Sequence, residues 1–483
     1  MGAEKLKKQN IIESSPNKDG KISFEYSKPI WNAANSTDSI GYSRNQFNLE
    51  KRLYAEIIDS LKAQLKMHVK RQVVPESEGK QLMDALDKIA KEISKDQNIE
   101  RVNDQSIYEF VRVRLSEIAP EAYSWFDVAR SEDAQKSGDL RLWIRNAFDR
   151  LDSMVQSVQG SIIDKAESTV KTIFPAYAHS QLAQPSSFGH HLLAYVEMFG
   201  RDRERMKDAK DRMNTSPYCA GEVAGNSYHV SKDMVARSLM FEKACSNSVD
   251  AISSRDFVVE CLSVLANFSM HTSKLANEMI DWHSPQKEFI NFSSKIARQH
   301  AVLPFRRDPL VLEITRAKSS KISGALMSAI ALTNYMNMQY SKDFEELNEL
   351  VINAFDESFE AIQNLSEALS DFTINRKKMK EAGSSNFSTA IDLVDWIVQN
   401  ANKPLNKAQQ ITRDIIDYAI QKNKKLSLLE LSEIKTILPE ATDDIYSVLI
   451  PSRALISRRS GNGSNPVQIR KSIRAARRKY MKA

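Results

Sequence analysis

The sequence predicts an all-α protein, a central bundle of long helices with smaller helical N- and C-terminal domains. Three observations carry this. Glycine and proline number 14 each in 483 residues, too few to punctuate a turn-rich sandwich or barrel of that length. Apolar residues recur at three- and four-residue spacing through five stretches of roughly 20–30 residues, the period of a helix face. No block alternates apolar and polar residues as half-buried strands do. Hydrophobic residues at 42% and charged residues at 27% provide for a sizeable core and exclude wholesale disorder.

Taken in order, residues 1–38 are polar and irregular and read as a flexible lead-in. Residues 39–130 read as an N-terminal helical domain. Leu49, Leu53, Ile57, Leu61 and Leu65 form one stripe, ended by Pro75, and Leu82, Leu86, Ile89 and Ile93 begin the next. Residues 131–375 read as the bundle, with helices predicted over 139–171, 187–212, 254–280, 309–338 and 344–372. Pro175 stops the first, and Ser216-Pro217 closes the second. Residues 376–483 read as a C-terminal domain opening at Gly383-Ser384-Ser385, with helices over 390–399, 407–421 and 428–437 and a basic tail. Helices this long carry apolar stripes on more than one side, which predicts self-association.

The net charge of +6 is unevenly spread. Arg453 to Ala483 holds ten Lys or Arg and no acid, leaving 58 basic against 62 acidic residues elsewhere. Cations at the end of a last helix suit its dipole, so a solvated helix is expected there rather than a nucleic-acid or membrane surface. Cys219, Cys245 and Cys261 cannot all pair and none lies in a C-x-x-C, which points to a reduced, cytoplasmic setting. No stretch reaches the ~18 apolar residues of a membrane span. The start lacks the apolar core of a secretory signal, and Leu6 stands where myristoylation needs Ser or Thr.

Cofactor and metal signatures are missing. There is no P-loop, no dinucleotide-binding glycine fingerprint and no Cys/His cluster; His190 and His191 are adjacent and point about 100° apart on a helix, so they cannot clasp one ion. Neither a cofactor nor a metal is expected. Four segments depart from ordinary helix surface: 128–135, 174–185, 247–257 and 299–309. Each places small, polar and charged residues at or between helix ends, where free N–H groups can meet anions. Arg255-Asp256 reads as a structural ion pair at a helix start.

With these segments in hand, the chain resembles argininosuccinate lyase, within the aspartase/fumarase superfamily. The resemblance rests on Ser39-Ile40-Gly41-Tyr42, Ala183-Gln184-Pro185 after Tyr177-Ala178-His179, Ala224-Gly225-Asn226, Asp250-Ala251 followed by Ser254-Arg255-Asp256-Phe257, Tyr340-Ser341-Lys342-Asp343 and Gly463-Ser464-Asn465-Pro466, in the family's order. It implies the superfamily's central helical bundle, a homotetramer and active sites assembled from three subunits. It also implies a succinyl-amine substrate: a base takes the proton beside a carboxylate, an aci-carboxylate forms, the nitrogen leaves and fumarate is released.

The departures are as informative as the matches. Aligned on Pro304 and Pro309, His300 stands at the family's catalytic loop Ser, Arg306 at its Lys and Asp308 at its carboxylate-binding Asn. The pattern H-T-G-R-S-R-N-D-Q becomes Asp127 to Gln135, keeping Arg130, Ser131 and Gln135 but placing Glu132 and Asp133 at the second Arg and the Asn. Upstream, Tyr108 and Arg112 take the places of a His and a Glu. Tyr340 and Lys342 are kept, while Glu345 replaces a Gln. The resemblance thus implies His300 and His179 as catalytic residues, with Ser39, Arg130, Ser131, Gln184, Arg306, Tyr340 and Lys342 binding substrate.

Three functions fit. One is a carbon–nitrogen lyase with altered substrate or base; an imidazole is a competent base near neutral pH. Another is ordinary argininosuccinate cleavage to arginine and fumarate, which must accommodate Asp308 and Glu132 beside a dianion. The third is a non-catalytic homologue acting as scaffold or regulator.

Overall fold

The computed structural model describes residues 46–95, 106–385, 387–458 and 460–481. The lead-in and Ser39 lie outside them. Three helices open the described chain: α1 (Tyr54–Lys70), α2 (Glu76–Lys95) and α3 (Ile107–Ile118). The bundle follows as α4 (Glu132–Ser168), α5 (Phe188–Met213), α6 (Asp256–His283), α7 (Leu310–Thr333) and α8 (Asp343–Asp371). The last longer helices are α9 (Ala390–Asn400), α10 (Leu405–Gln421) and α11 (Pro466–Tyr480).

Contacts at the helix ends fix the directions. Arg141 of α4 bonds Ser254, just before α6, at 2.8 Å, whereas Phe174 and Trp282, past or near their far ends, stack edge to face at 5.9 Å. Lys136 lies against Glu345 at the start of α8, and Lys165 donates to the Phe372 carbonyl at its end. So α4, α6 and α8 run one way. Arg141 also donates to the Met213 carbonyl, which places the end of α5 at the start of α4; α5 and α7 therefore run back. One core joins Ile144, Leu151 and Val158 of α4 to Val196, Leu265 and Phe355. A separate core, including Leu393, Ile397, Ile415, Leu438 and Ile445, serves the C-terminal helices.

The long helices begin and end within a few residues of expectation, with one exception. Helix α4 starts at Glu132, two turns before the predicted start at 139. Ser131 caps it, accepting from the Ala134 N–H at 3.3 Å, and Glu132 and Asp133 complement the dipole. Those turns bury Gln135 and Ser137, with Ala134 and Gly138 as their small buried residues, so apolar periodicity cannot see them. The second unusual segment lies between the end of α4 and the start of α5. It is an antiparallel hairpin of β1 (Ile173–Ala178) and β2 (Gln181–Ser187). The expected helix over 428–437 is reduced to Leu431–Lys435 beside a 3-10 turn.

Helix α7 exposes apolar side chains among its polar ones. Ile314 and Met327 are 50% and 64% exposed, and Met270 on the adjacent α6 is 53% exposed. No described helix is long and apolar enough to cross a membrane.

Candidate active site

The sequence-predicted residues fall into two groups at opposite ends of the bundle. At the head, where α4 starts, Ser131 caps the helix and Arg130 turns inward. The Arg130 guanidinium stacks 4.0 Å over Phe126 and donates to Gln135 at 2.5 Å; its Nε has no partner. Burial pulls its pKa down to about 10, so it stays charged at neutral pH. Tyr340 and Lys342 arrive at the same end on the approach to α8. Lys342 donates to Glu345 at 2.7 Å, and the Tyr340 hydroxyl does so at 3.5 Å.

Lys136 joins the two halves of the head. Its side chain is only 12% exposed and lies 3.1 Å from Glu132 and 3.7 Å from Glu345, between the rings of Tyr108 and Tyr340. Burial alone would lower its pKa, but Tyr340, Glu132 and Glu50 outweigh burial and hold it above the ordinary value. Arg112 continues the series to Glu132 at 3.3 Å and to Asp127. Asp127, Arg112, Glu132, Lys136, Glu345 and Lys342 thus alternate in sign across three elements. Burial would raise the Glu132 pKa, yet Lys136 and Arg112 bring it below the usual range. The sequence reading missed Lys136, although the Glu132/Lys136 spacing of four on a helix was a visible signal.

Two buried acceptors at the head have no partner, Glu345 Oε2 and Asn348 Oδ1. Beneath them Asp139 accepts from the hydroxyls of Tyr108 at 3.2 Å and Tyr218 at 2.7 Å. Burial pushes its pKa up to about 7. Gly138 makes this packing possible, since a Cβ there would come within 2.4 Å of the Tyr218 ring. The Arg255-Asp256 ion pair expected from sequence does not form. Arg255 Nη1 instead donates to the carbonyls of Ile252 and Ser254, and its guanidinium lies 4.0 Å over Phe344, because the position is too buried for Asp256 to share.

The other group lies at the tail, past the end of α4. His179 and Ser180 form the two-residue turn of the hairpin, with φ of 50° and 61°, the conformation that matches strand twist. His179 is exposed at that tip. Gln184, on β2, lines a cavity of about 410 Å³ with Ser186, His190, Arg458 and Ser464. Arg458 spans it, bonding Asp392 at 3.2 Å, Ser464 at 3.0 Å and the Pro185 carbonyl. The 299–309 segment is here too, a small hairpin pairing Arg298–Gln299 with Arg307–Asp308. It carries His300 and Arg306, and Arg306 pairs with Asp308 at 2.5 Å.

Helix α4 separates the groups. Its 37 residues span about 55 Å at ~1.5 Å per residue. No hydrogen bond, ion pair or ring contact among the described residues links head to tail, and one chain cannot bring Arg130 and His179 to one small molecule. Among the described residues, no group of three or more His, Cys, Asp or Glu could hold a metal ion.

The family model described as "Lyase" matches residues 37–324, more than half of the chain, and the model for the argininosuccinate lyase C-terminal domain matches 387–455. The chain belongs to the lyase family, argininosuccinate lyase-like. Its bundle is that of the fumarase/aspartase superfamily. An EDDS lyase variant with bound fumarate superposes with a TM-score of 0.79 at 20% identity, covering 90% of this chain and 87% of that one. The 3-carboxy-cis,cis-muconate lactonizing enzyme of Pseudomonas putida gives 0.72 at 15%, covering 91% and 97%. A class II fumarase from Schistosoma mansoni gives 0.70 at 12%, covering 87% and 94%. At these identities the likeness is one of fold.

Proposed function

We propose that this chain is an argininosuccinate lyase-like carbon–nitrogen lyase. It eliminates an amine or amidine from a succinyl adduct and releases fumarate, with an altered substrate or altered proton chemistry. The observation that carries the reading is the separation of the candidate residues along α4. Arg130, Ser131, Tyr340 and Lys342 hold one end; His179, Gln184, His300 and Arg306 hold the other. A single site built from both requires the head of one copy against the tail of another, as in a homotetramer with shared sites. The exposed Met270 of α6 and Leu310, Ile314, Met327 and Ile330 of α7 supply apolar surface for that association. His300 and His179 are the catalytic imidazoles of the reading, and Ser39 joins the substrate-binding set. The elimination as proposed calls on side chains alone, in a cytoplasmic setting.

Ordinary argininosuccinate cleavage gains from one detail. The negative charge of Asp308 is matched by Arg306, which eases its place beside a dianion. The same pairing supports the third reading, a non-catalytic homologue. With Arg306 bound to Asp308 and Lys342 to Glu345, two cations that would meet succinyl carboxylates are engaged internally.

The test is fumarate release from argininosuccinate-like succinyl amines, followed by ultraviolet absorbance. Activity is expected in the wild type, loss in both Arg130→Ala and His179→Ala, and partial recovery when the two inactive variants are unfolded and reassembled together. Recovery requires some sites to draw their head and tail from different copies. No fumarate from any compound of the panel leaves the non-catalytic reading. Activity without recovery in mixtures removes the shared site.

A further inference from the structure

The loop between α6 and α7 holds its histidine in a defined state. Past the Arg298–Gln299 and Arg307–Asp308 pairing, the His300 N–H donates to the Arg306 carbonyl at 2.9 Å, and the Arg306 N–H to that of Leu303 at 2.9 Å. The Gln299 amide closes onto the Pro304 carbonyl at 2.8 Å. The tip then folds back on the imidazole. The backbone N–H groups of Val302 and Leu303 both point at His300 Nδ1, at 3.2 and 3.1 Å.

Two backbone donors on one ring nitrogen decide where the ring hydrogen sits. A backbone N–H cannot accept, so Nδ1 must offer its lone pair and carries no hydrogen. The neutral ring then holds its hydrogen on Nε2. Taking up a proton would require Nδ1, the nitrogen that the loop backbone already occupies. Giving one up would leave an imidazolate, out of reach near neutral pH. What remains is a neutral N–H donor at Nε2. On the hairpin Arg306 and Asp308 pair with each other, and Arg298 and Arg307 are cations that cannot accept from that donor.

We infer that His300 acts as a neutral hydrogen-bond donor through Nε2 to a carboxylate oxygen of a small dicarboxylate, and not as the group that removes the proton. A fixed neutral donor aimed at an oxygen that gains negative charge lowers the barrier to forming an aci-carboxylate, and it does so without changing its own protonation. The ligand in this inference rests on the lyase reading; the ring state does not. If His300 only donates, the proton acceptor is another group, and His179 at the exposed hairpin tip is the candidate already present at the same end of the chain.

The ring state is read by magic-angle-spinning nitrogen NMR on sedimented, 15N-histidine-labelled protein at neutral pH, with His300 assigned by the signals lost in His300→Gln. The expected pair is an unprotonated Nδ1 and a protonated Nε2, with and without fumarate. A protonated Nδ1, alone or together with Nε2, overturns the inference. The ligand is read by the fumarate-induced rise in melting temperature. His300→Gln places an amide N–H near the Nε2 position and should keep most of the wild-type rise; His300→Asn reaches only the Nδ1 position and should lose most of it. Equal loss in both overturns the donor role. A wild type with no rise removes the dicarboxylate ligand along with the lyase reading, while the NMR still decides the ring state.

Discussion

The two ends of the bundle are built differently. The head is a polar interior: Arg130, Lys136, Glu345, Asp139 and Arg255 are all buried or nearly so, Lys136 and Glu345 within the alternating network, Asp139 on two tyrosine hydroxyls and Arg255 on backbone carbonyls. The tail is a set of projections: a hairpin tip at positive φ, and a loop whose Val302 and Phe305 are 78% and 84% exposed. The difference teaches where each end gets its order. The head is organised within one chain, because buried charges are tolerated only when paired or hydrogen-bonded. The tail spends little buried area on its candidate groups His179 and His300, which stand at exposed loop tips.

The sharpest way to break this comparison is Lys136→Met. It removes the buried cation between Glu132 and Glu345 and leaves Glu345 only the exposed Lys342. Breaking a buried pair typically removes about 3–5 kcal/mol. The loss should appear as a lower denaturation midpoint in urea, with Lys342→Met, whose side chain is 77% exposed, falling near the 0–1 kcal/mol of surface pairs. Equal effects from the two would show that Lys136 is no more interior than the exposed Lys342.

Asp139 gives the next effect, through pH. Its folded pKa of about 7 lies above the ordinary 3.8, so the folded state holds a proton that the unfolded state has released. Stability therefore falls as pH rises through the window from about 4 to 7, by up to about 4 kcal/mol for three pKa units. Above that window the penalty is complete; below it, absent. Asp139→Asn should flatten this slope in melts run across the window. An unchanged slope would mean that the Tyr108 and Tyr218 hydroxyls already stabilise the ionised carboxylate.

The smallest change sharpens the tail. Ser180 sits at φ of 61°, a conformation that a side chain disfavours by about 1–2 kcal/mol and glycine does not. Ser180→Gly should raise stability by about 0.5–1 kcal/mol after the entropy of the freer unfolded chain is counted. It should leave any fumarate-induced melting shift intact, since His179 keeps its place. Loss of the shift without loss of stability would show that the rigidity of this turn, and not only its histidine, serves the ligand.

The sequence by itself determined the helical architecture. Five apolar stripes with few interrupting Gly or Pro permit little else, because burying such stripes is the dominant favourable term. It also determined the family, through Ala183-Gln184-Pro185, Tyr340-Ser341-Lys342-Asp343 and the Pro304…Pro309 frame. It marked His300, Arg306 and Glu345 as departures. Tertiary structure alone decided which partners those departures meet. Whether Glu132 repels a ligand depends on Arg112, twenty positions away, and on Lys136; whether Asp308 does so depends on Arg306; what His300 can do depends on which nitrogen the loop backbone caps. Local pattern is read along the chain, but charge balance and proton placement are set by distance in space, and folding brings together residues that sequence order keeps apart.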